Sequence, residues 1–374
     1  MNLRPFLVPI LAVVAAFSGF HNSFARAQET QGPITPKPGA TIQKPPEGVI
    51  RVRVALVNAP VTVRDSKKEL VLDLQKENFH VFDNGIEQPI DTFGLSSDPL
   101  SVVLLFETSS RIAPLLPAVQ KSAIVFTQTV VGPSGKAAVL SYDEGVQNLL
   151  PLTDDRDKIE KTITTLKAGN SGTRLYDALF AAVNLLRNEP ADRRRVVIVV
   201  GEASDRGSEN RLGRILRRAQ IENVVIYGVG LSTMSAGARS PERQAAPAPA
   251  TPPGTFGKPP MPGTAQTPTS EQQYAGNIDL LNLAEWTVRN AEAVVKDRPL
   301  EVATAATGGL FQSAVLDSTI EKAVDSIGGE LNSQYMVSYH PTKTDDPGYH
   351  KIRMTVDRAG VKVRTRPGYY LEAN

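Results

Sequence analysis

Between residues 50 and 93 apolar and polar positions alternate: Val52, Val54 and Leu56, then Val61 and Val63, then Phe79 and Val81. Turn signals at Asp65-Ser66 and Asp83-Asn84-Gly85 interrupt the pattern, which predicts short antiparallel strands joined by tight turns. The C-terminal end has the same character. Residues 334–339, 351–356 and 361–366 alternate, broken by Asp345-Asp346-Pro347-Gly348 and by Arg358-Ala359-Gly360. Neither end is long enough for a stable sheet of its own, so the two are expected to pack together as one β-sandwich.

The period changes between these ends. Residues 102–106, 137–142, 196–200 and 224–227 are nearly unbroken apolar runs, as strands buried on both faces are. They alternate with amphipathic stretches at 115–130, 175–186 and 212–221. Such alternation predicts an α/β fold, a doubly wound and mostly parallel sheet with helices on each side. Residues 145–152 follow the second run after too short a turn for a crossover, so they are expected to form an antiparallel edge strand. Helices are expected at 277–295 and 316–331, with Ala306-Thr307-Gly308-Gly309 stopping a helix before a short strand at 310–313.

Two segments have the composition of unfolded chain. From 235 to 273 Pro, Ala, Gly and Thr dominate, with nine Pro between Pro241 and Pro268, as in a disordered insertion. Residues 28–49 hold five Pro between Pro33 and Pro46 and read as an extended tether. Ahead of it, residues 1–27 open with Arg4, run through apolar residues 5–20 and close on Ala25-Arg26-Ala27, the pattern of a cleaved export signal. That run is 16 residues long, short of the roughly 20 that span a bilayer, so no transmembrane segment is expected after cleavage. The expected organisation is a signal peptide (1–27), linker (28–49), first part of the sandwich (50–98), α/β domain (99–332, with its insertion at 235–273) and second part of the sandwich (333–374).

Composition narrows the chemistry. The 374 residues carry 41 Lys and Arg against 39 Asp and Glu, and loss of Arg4 and Arg26 with the leader would balance them, which disfavours nucleic acid as a partner. No Cys is present, which excludes thiolate metal sites, disulfides and a Cys nucleophile. Four His residues at 21, 80, 340 and 350 offer no metal cluster.

Ligands of open α/β sheets bind beyond the carboxyl ends of the strands. Three loops there carry oxygen donors: Glu107-Thr108-Ser109-Ser110-Arg111, Gly169-Asn170-Ser171-Gly172-Thr173 and Gly201-Glu202-Ala203-Ser204-Asp205. Their order resembles the von Willebrand factor type A fold and its metal-ion-dependent adhesion site. The flanks add Asn78-Phe79-x-Val81-Phe82-Asp83-Asn84-Gly85, Ala306-Thr307-Gly308-Gly309 and Arg366-Pro367-Gly368-Tyr369-Tyr370, and with them the chain resembles the VWFA-related Acidobacterial domain family of exported bacterial proteins. The resemblance runs from about Val52 to Leu371 apart from the Pro-rich insertion. It implies a Rossmann-like type A domain that binds protein partners.

By that resemblance the adhesion site uses Asp-x-Ser-x-Ser, a Thr and a second Asp. Here Glu107 stands at the first Asp, Ser109 and Thr173 are retained, Arg111 replaces the second Ser and Glu202 stands at the second Asp. A longer carboxylate moves its oxygens by more than an ångström, which the tight octahedron of Mg²⁺ tolerates poorly. Arg111 removes a hydroxyl and brings a permanent charge to where a dication would sit. Two readings stay open: Mg²⁺ or Mn²⁺ bound through Glu107, Ser109, Thr173 and Glu202, or a metal-independent pseudo-site in which Arg111 pairs with Glu107 or Glu202. The pseudo-site is preferred, with no resident cofactor.

Other motifs have plain structural explanations. Gly132-Pro133-Ser134-Gly135-Lys136 lacks the spacing and the strand-to-helix context of a phosphate loop and reads as a turn. Arg211, Arg214, Arg217 and Arg218 are expected on the solvated side of a helix, where with Arg193, Arg194 and Arg195 they offer a surface to an acidic partner. Thr153 or Asp154 is expected to cap the helix that follows, and Asp177 to complement the amino end of its own. No Gly-x-Ser-x-Gly elbow occurs, and no His follows the strands that carry the hydroxyls, so an enzyme is not expected. The expected function is an exported protein-binding module of adhesion type in the periplasm or outside the cell. The alternatives are an envelope scaffold that assembles through the sandwich or the basic helix, and divalent-metal-dependent binding of a ligand.

Overall fold

The computed structural model describes residues 56–96, 98–190, 192–232, 280–296, 298–314, 317–342 and 347–371. The leader, the tether and the Pro-rich insertion lie outside the described residues, as does the alternating stretch before Leu56.

Six strands form the central sheet: β5 (Leu100–Glu107), β6 (Lys136–Tyr142), β7 (Val146–Thr153), β8 (Arg194–Gly201), β9 (Val224–Leu231) and β10 (Phe311–Ala314). Their order is β10-β9-β8-β5-β6-β7, parallel except for β7, which runs antiparallel to β6 at one edge. Both faces are covered, and the run at β5 shows why its residues are uniformly apolar. Val102, Leu104 and Phe106 pack on one face with Ile159 and Ile163 of α3 (Arg156–Thr164) and with Ile320, Val324 and Ile327 of α8 (Asp317–Leu331). Val103 and Leu105 point to the other face, covered by α4 (Leu175–Leu186), α5 (Leu212–Ile221), α6 (Leu280–Arg289) and α7 (Pro299–Thr307). Period-2 geometry on a sheet buried on both sides therefore demands apolar residues at every position.

Several local expectations are refined. The stretch from 115 to 130 is not one α-helix: α1 (Leu116–Lys121) and α2 (Ala123–Val125) meet at Ser122, and a π-helical turn, Phe126–Val131, follows. Ser122, Thr127 and Thr129 turn their hydroxyls back onto the carbonyls of Val119, Ile124 and Val125, a competition that loosens the regular ladder. The cap of α3 is Asp155, whose side chain accepts the Lys158 amide, and not Thr153 or Asp154. α6 ends at Arg289 rather than at 295. α7 stops where Gly308 takes φ of 81°, a left-handed conformation that glycine adopts without penalty.

The two chain ends build two four-stranded sheets. One has the order β13-β1-β11-β4, from β1 (Val57–Arg64), β4 (Thr92–Leu95), β11 (Tyr335–Tyr339) and β13 (Lys362–Arg364). The other has the order β14-β12-β2-β3, from β2 (Phe79–Asp83), β3 (Ile86–Gln88), β12 (Gly348–Val356) and β14 (Gly368–Leu371). Val57, Ala59, Val61 and Val63 of β1 share one core with Val81 of β2, Ile352 and Met354 of β12 and Tyr369 of β14. Phe79, Phe93 and Tyr335 add a ring cluster with centroids 5.0–5.4 Å apart. This is the β-sandwich expected from the two ends, closed by hydrogen bonds between strands far apart in sequence.

The sandwich is tied to the α/β domain near the amino ends of its parallel strands. Glu330 of α8, fully buried, accepts from Arg64 of β1 at 3.3 Å, from Tyr227 of β9 at 3.2 Å and from Arg364 of β13. Arg366 donates to Asn223 Oδ1 at 2.7 Å and to the Gln220 carbonyl at 3.1 Å.

Candidate functional site

Backbone hydrogen bonds gather the three loops at the opposite, carboxyl end of the sheet. The Gly169 amide donates to the Thr108 carbonyl at 2.6 Å and the Ser110 amide to the Asn170 carbonyl at 2.9 Å. Thr173 is bridged to Arg206, whose amide donates to the Thr173 carbonyl at 2.8 Å. Glu107, Ser109, Thr173 and Glu202 are all buried here, and Arg111 stands at their edge with its side chain 38% exposed. The segments singled out from the sequence therefore converge.

Glu107 ends β5, and both of its carboxylate oxygens are engaged. Ser109 Oγ donates to one at 2.5 Å, and the backbone amide of Glu202 donates to the other at 2.6 Å. The approach is close because residue 201 is glycine: a Cβ there would lie 2.5 Å from the Tyr142 hydroxyl and 2.7 Å from Glu107 Oε2. Burial pushes the Glu107 carboxyl up to about 7, against the opposing pull of the Ser109 and Glu202 hydrogen bonds, and the nearby Glu202 charge adds to the rise. The Arg111 guanidinium reaches Glu202, Nη2 to Oε2 at 2.9 Å. Of the two partners open to Arg111 it takes Glu202.

Three buried hydroxyls in this region, Thr173 Oγ1, Ser204 Oγ and Tyr142 Oη, have no hydrogen-bond partner among the described residues. Asp143, at the end of the second parallel run, is a site residue that the three-loop reading missed. It accepts the Gly145 amide at 3.0 Å and the Asn170 amide at 2.8 Å, and so holds the Thr173 loop against the loop after β6. The same rule that picks out Glu107 and Glu202, a polar residue just past an apolar run, also applies at Asp143. Asp177 does more than complement its helix, since it accepts the amides of Glu209 at 3.1 Å and Asn210 at 3.0 Å and fixes the loop beyond Glu202. Asp205 takes the Tyr176 amide at 2.9 Å and the Ser208 hydroxyl at 2.6 Å, and burial raises its carboxyl above the ordinary range.

This donor set does not fit a hard divalent ion as arranged. Both Glu107 oxygens already accept a hydrogen bond, Glu202 is held by a cation that cannot lose its proton, and of these side chains only the Thr173 hydroxyl is unengaged among the described residues. Among the described residues no group of three or more His, Asp or Glu is disposed to hold a metal.

The arginines expected on an open surface are largely engaged. Arg217 lies 4.4 Å from the Tyr370 ring centroid and donates to the Arg289 carbonyl, while Arg214 pairs with Glu292 and Arg218 with Glu222. Arg193, Arg194 and Arg195 point largely inward, because backbone carbonyls at the sheet end take their N–H groups. Among the described residues no helix is long and apolar enough to cross a membrane.

The family profile described as von Willebrand factor type A domain matches residues 102–204. No curated protein matches the chain. Among solved structures, a von Willebrand factor type A protein from Catenulispora acidiphila is 9% identical, with 85% of this chain and 74% of that chain covered and a TM-score of 0.43. An aerotolerance-related membrane protein from Bacteroides fragilis is 12% identical, covering 62% of this chain and 99% of its own, with a TM-score of 0.38. Proximal thread matrix protein 1 of the mussel byssus, solved with zinc in its MIDAS motif, is 14% identical over 67% of this chain and 50% of its own, with a TM-score of 0.41. The matched stretch runs from β5 through the loop after β8, the part of the doubly wound sheet that carries Glu107, Thr173 and Glu202, and the chain contains a von Willebrand factor type A-related domain.

Proposed function

We propose that this is an exported, non-catalytic protein-binding module whose type A loops engage a protein partner without a metal ion. The observation that carries the reading is the Arg111–Glu202 ion pair at 2.9 Å, which puts a fixed guanidinium charge where the family resemblance implies a dication. Export rests on the leader pattern of residues 1–27, and the lack of a nucleophile–histidine pair in these loops supports binding over turnover. The divalent-metal reading keeps one observation in its favour, the buried and unpartnered Thr173 hydroxyl.

Calorimetric titration of the mature chain with Mg²⁺ and Mn²⁺ separates the two. No saturable heat is expected, and micromolar binding that Thr173→Ala abolishes would overturn the metal-independent reading. Partner capture from envelope fractions then tests the loops themselves. Glu107→Ala and Thr173→Ala are expected to reduce capture, while unchanged capture places the binding surface on the sandwich or the α5 helix and makes the protein a scaffold.

A further inference from the structure

A cavity of about 450 Å³ lies between the sandwich and the amino ends of β8 and β9, at the end of the parallel sheet opposite to Glu107. Its size falls within the range of about 300–1,000 Å³ common for small-molecule sites, which favour domain boundaries. Pro60 and Met336 line it from the sandwich, and Val196, Val225, Tyr227 and Leu331 line it from the α/β side. Into this largely apolar space the fold brings Arg194, Arg195 and Arg366.

The arginines are the unusual part. Arg366 is only 4% exposed and, among the described residues, donates to neutral acceptors alone: the carbonyls of Gly368, Asn58 and Gln220, and Asn223 Oδ1. Arg194 donates to the Leu331 carbonyl at 2.6 Å and to Gln334 Oε1 at 2.5 Å. Neither has a carboxylate at ion-pair distance among the described residues. Arg195 pairs with Glu222 at 3.6 Å, yet its buried Nε has no acceptor among the described residues. Burial pulls the Arg366 guanidinium down to about 10 and lowers Arg194 as well, the latter against the opposing pull of the Asp98 and Glu330 charges, which stand off beyond ion-pair distance. Asp98 and Asp192 also line the cavity, but both are exposed, where water and salt screen their charge.

We propose that this cavity binds a small organic monocarboxylate, its head on the buried guanidinium groups and its apolar body against Val225, Tyr227 and Met336. A planar guanidinium suits carboxylate and phosphate alike. The apolar lining decides for the monoanion, because a doubly charged phosphate costs more to desolvate and gains nothing from valine and methionine.

The test uses the mature chain and sodium octanoate as probe, read by calorimetry and by thermal denaturation, with octanol, acetate and inorganic phosphate as controls. Octanoate is expected to bind saturably and to raise the melting temperature with the logarithm of its concentration. Arg194→Gln is expected to weaken it about tenfold or more by removing charge-assisted hydrogen bonds. Met336→Trp, which takes up part of the cavity without touching a charge, is expected to weaken binding while the melting temperature without ligand holds. No octanoate binding, octanol binding as tightly, phosphate binding as tightly, or octanoate affinity unchanged in both variants would each overturn the proposal.

Discussion

Replacing Glu107 by Gln tests how the loop pocket is built. The carboxyl is 2% exposed and faces Ser109, the Glu202 amide and carboxylate, the Arg111 guanidinium and the Tyr142 hydroxyl. Burial moves its ionisation from 4.5 to about 7. In the unfolded chain the group loses its proton near 4.5, whereas the folded chain holds it until about 7. Between those values the folded state binds more protons, so stability falls as the pH rises and the full penalty is reached above pH 7. At about 1.36 kcal/mol per pH unit, the limiting penalty is about 3 kcal/mol, of which some 2–3 kcal/mol accrues between pH 5 and pH 8. Gln keeps an acceptor for the Glu202 amide and a donor toward Ser109 but has no charge to desolvate. Urea denaturation from pH 5 to pH 8 is therefore expected to show variant and wild type within about 1 kcal/mol at pH 5, with the variant ahead by about 2–3 kcal/mol at pH 8. A difference that stays constant across this range refutes the buried, proton-retaining carboxyl. If millimolar Mg²⁺ removes the slope, an ion is holding the carboxylate ionised and the metal-independent site is wrong.

Three further outcomes follow from other contacts. The combined change Glu107→Asp, Arg111→Ser and Glu202→Asp is expected to create micromolar Mg²⁺ affinity by calorimetry; no heat would mean that more than these side chains excludes the ion. Glu330→Gln leaves the Arg64 and Arg364 guanidinium groups without their carboxylate and is expected to cost about 2–4 kcal/mol by denaturant titration, with much of it recovered when both arginines are also changed to Met. Gly201→Ala drives a methyl group against Tyr142 and Glu107 and is expected to cost about 1–3 kcal/mol by thermal denaturation; a cost under about 0.5 kcal/mol would show that the two strand ends are not held so closely.

The α/β core was legible because its signal is local. A strand buried on both faces must be apolar at every residue, and a helix covering it must repeat every three to four, so β5, β6, β8, α4 and α5 stand in the sequence nearly as they stand in the fold. The loops at Glu107, Thr173 and Glu202 were legible for a related reason, since chain direction in a parallel sheet puts all strand carboxyl ends on one side. Asp143 follows the same rule and shows that it reaches further than hydroxyl-bearing loops alone.

Partner choice is another matter. That Arg111 takes Glu202 and leaves Glu107 to a hydroxyl and an amide depends on distances of a few ångströms between chain segments about a hundred residues apart, which no pattern along the chain encodes. The arginine run at 193–195 looks the same in sequence whether it faces water or the interior; the carbonyls of Leu100, Leu331 and Glu189 draw it inward, and the sandwich opposite the amino ends of β8 and β9 encloses a cavity there. Sequence by itself determined which residues must be inside the sheet and which sit at its ends, because those choices follow from hydrophobic period and strand direction. Tertiary structure alone decided which charges are paired and which are stranded, because ion pairing falls off within ångströms and the desolvation that sets its worth belongs to the assembled fold.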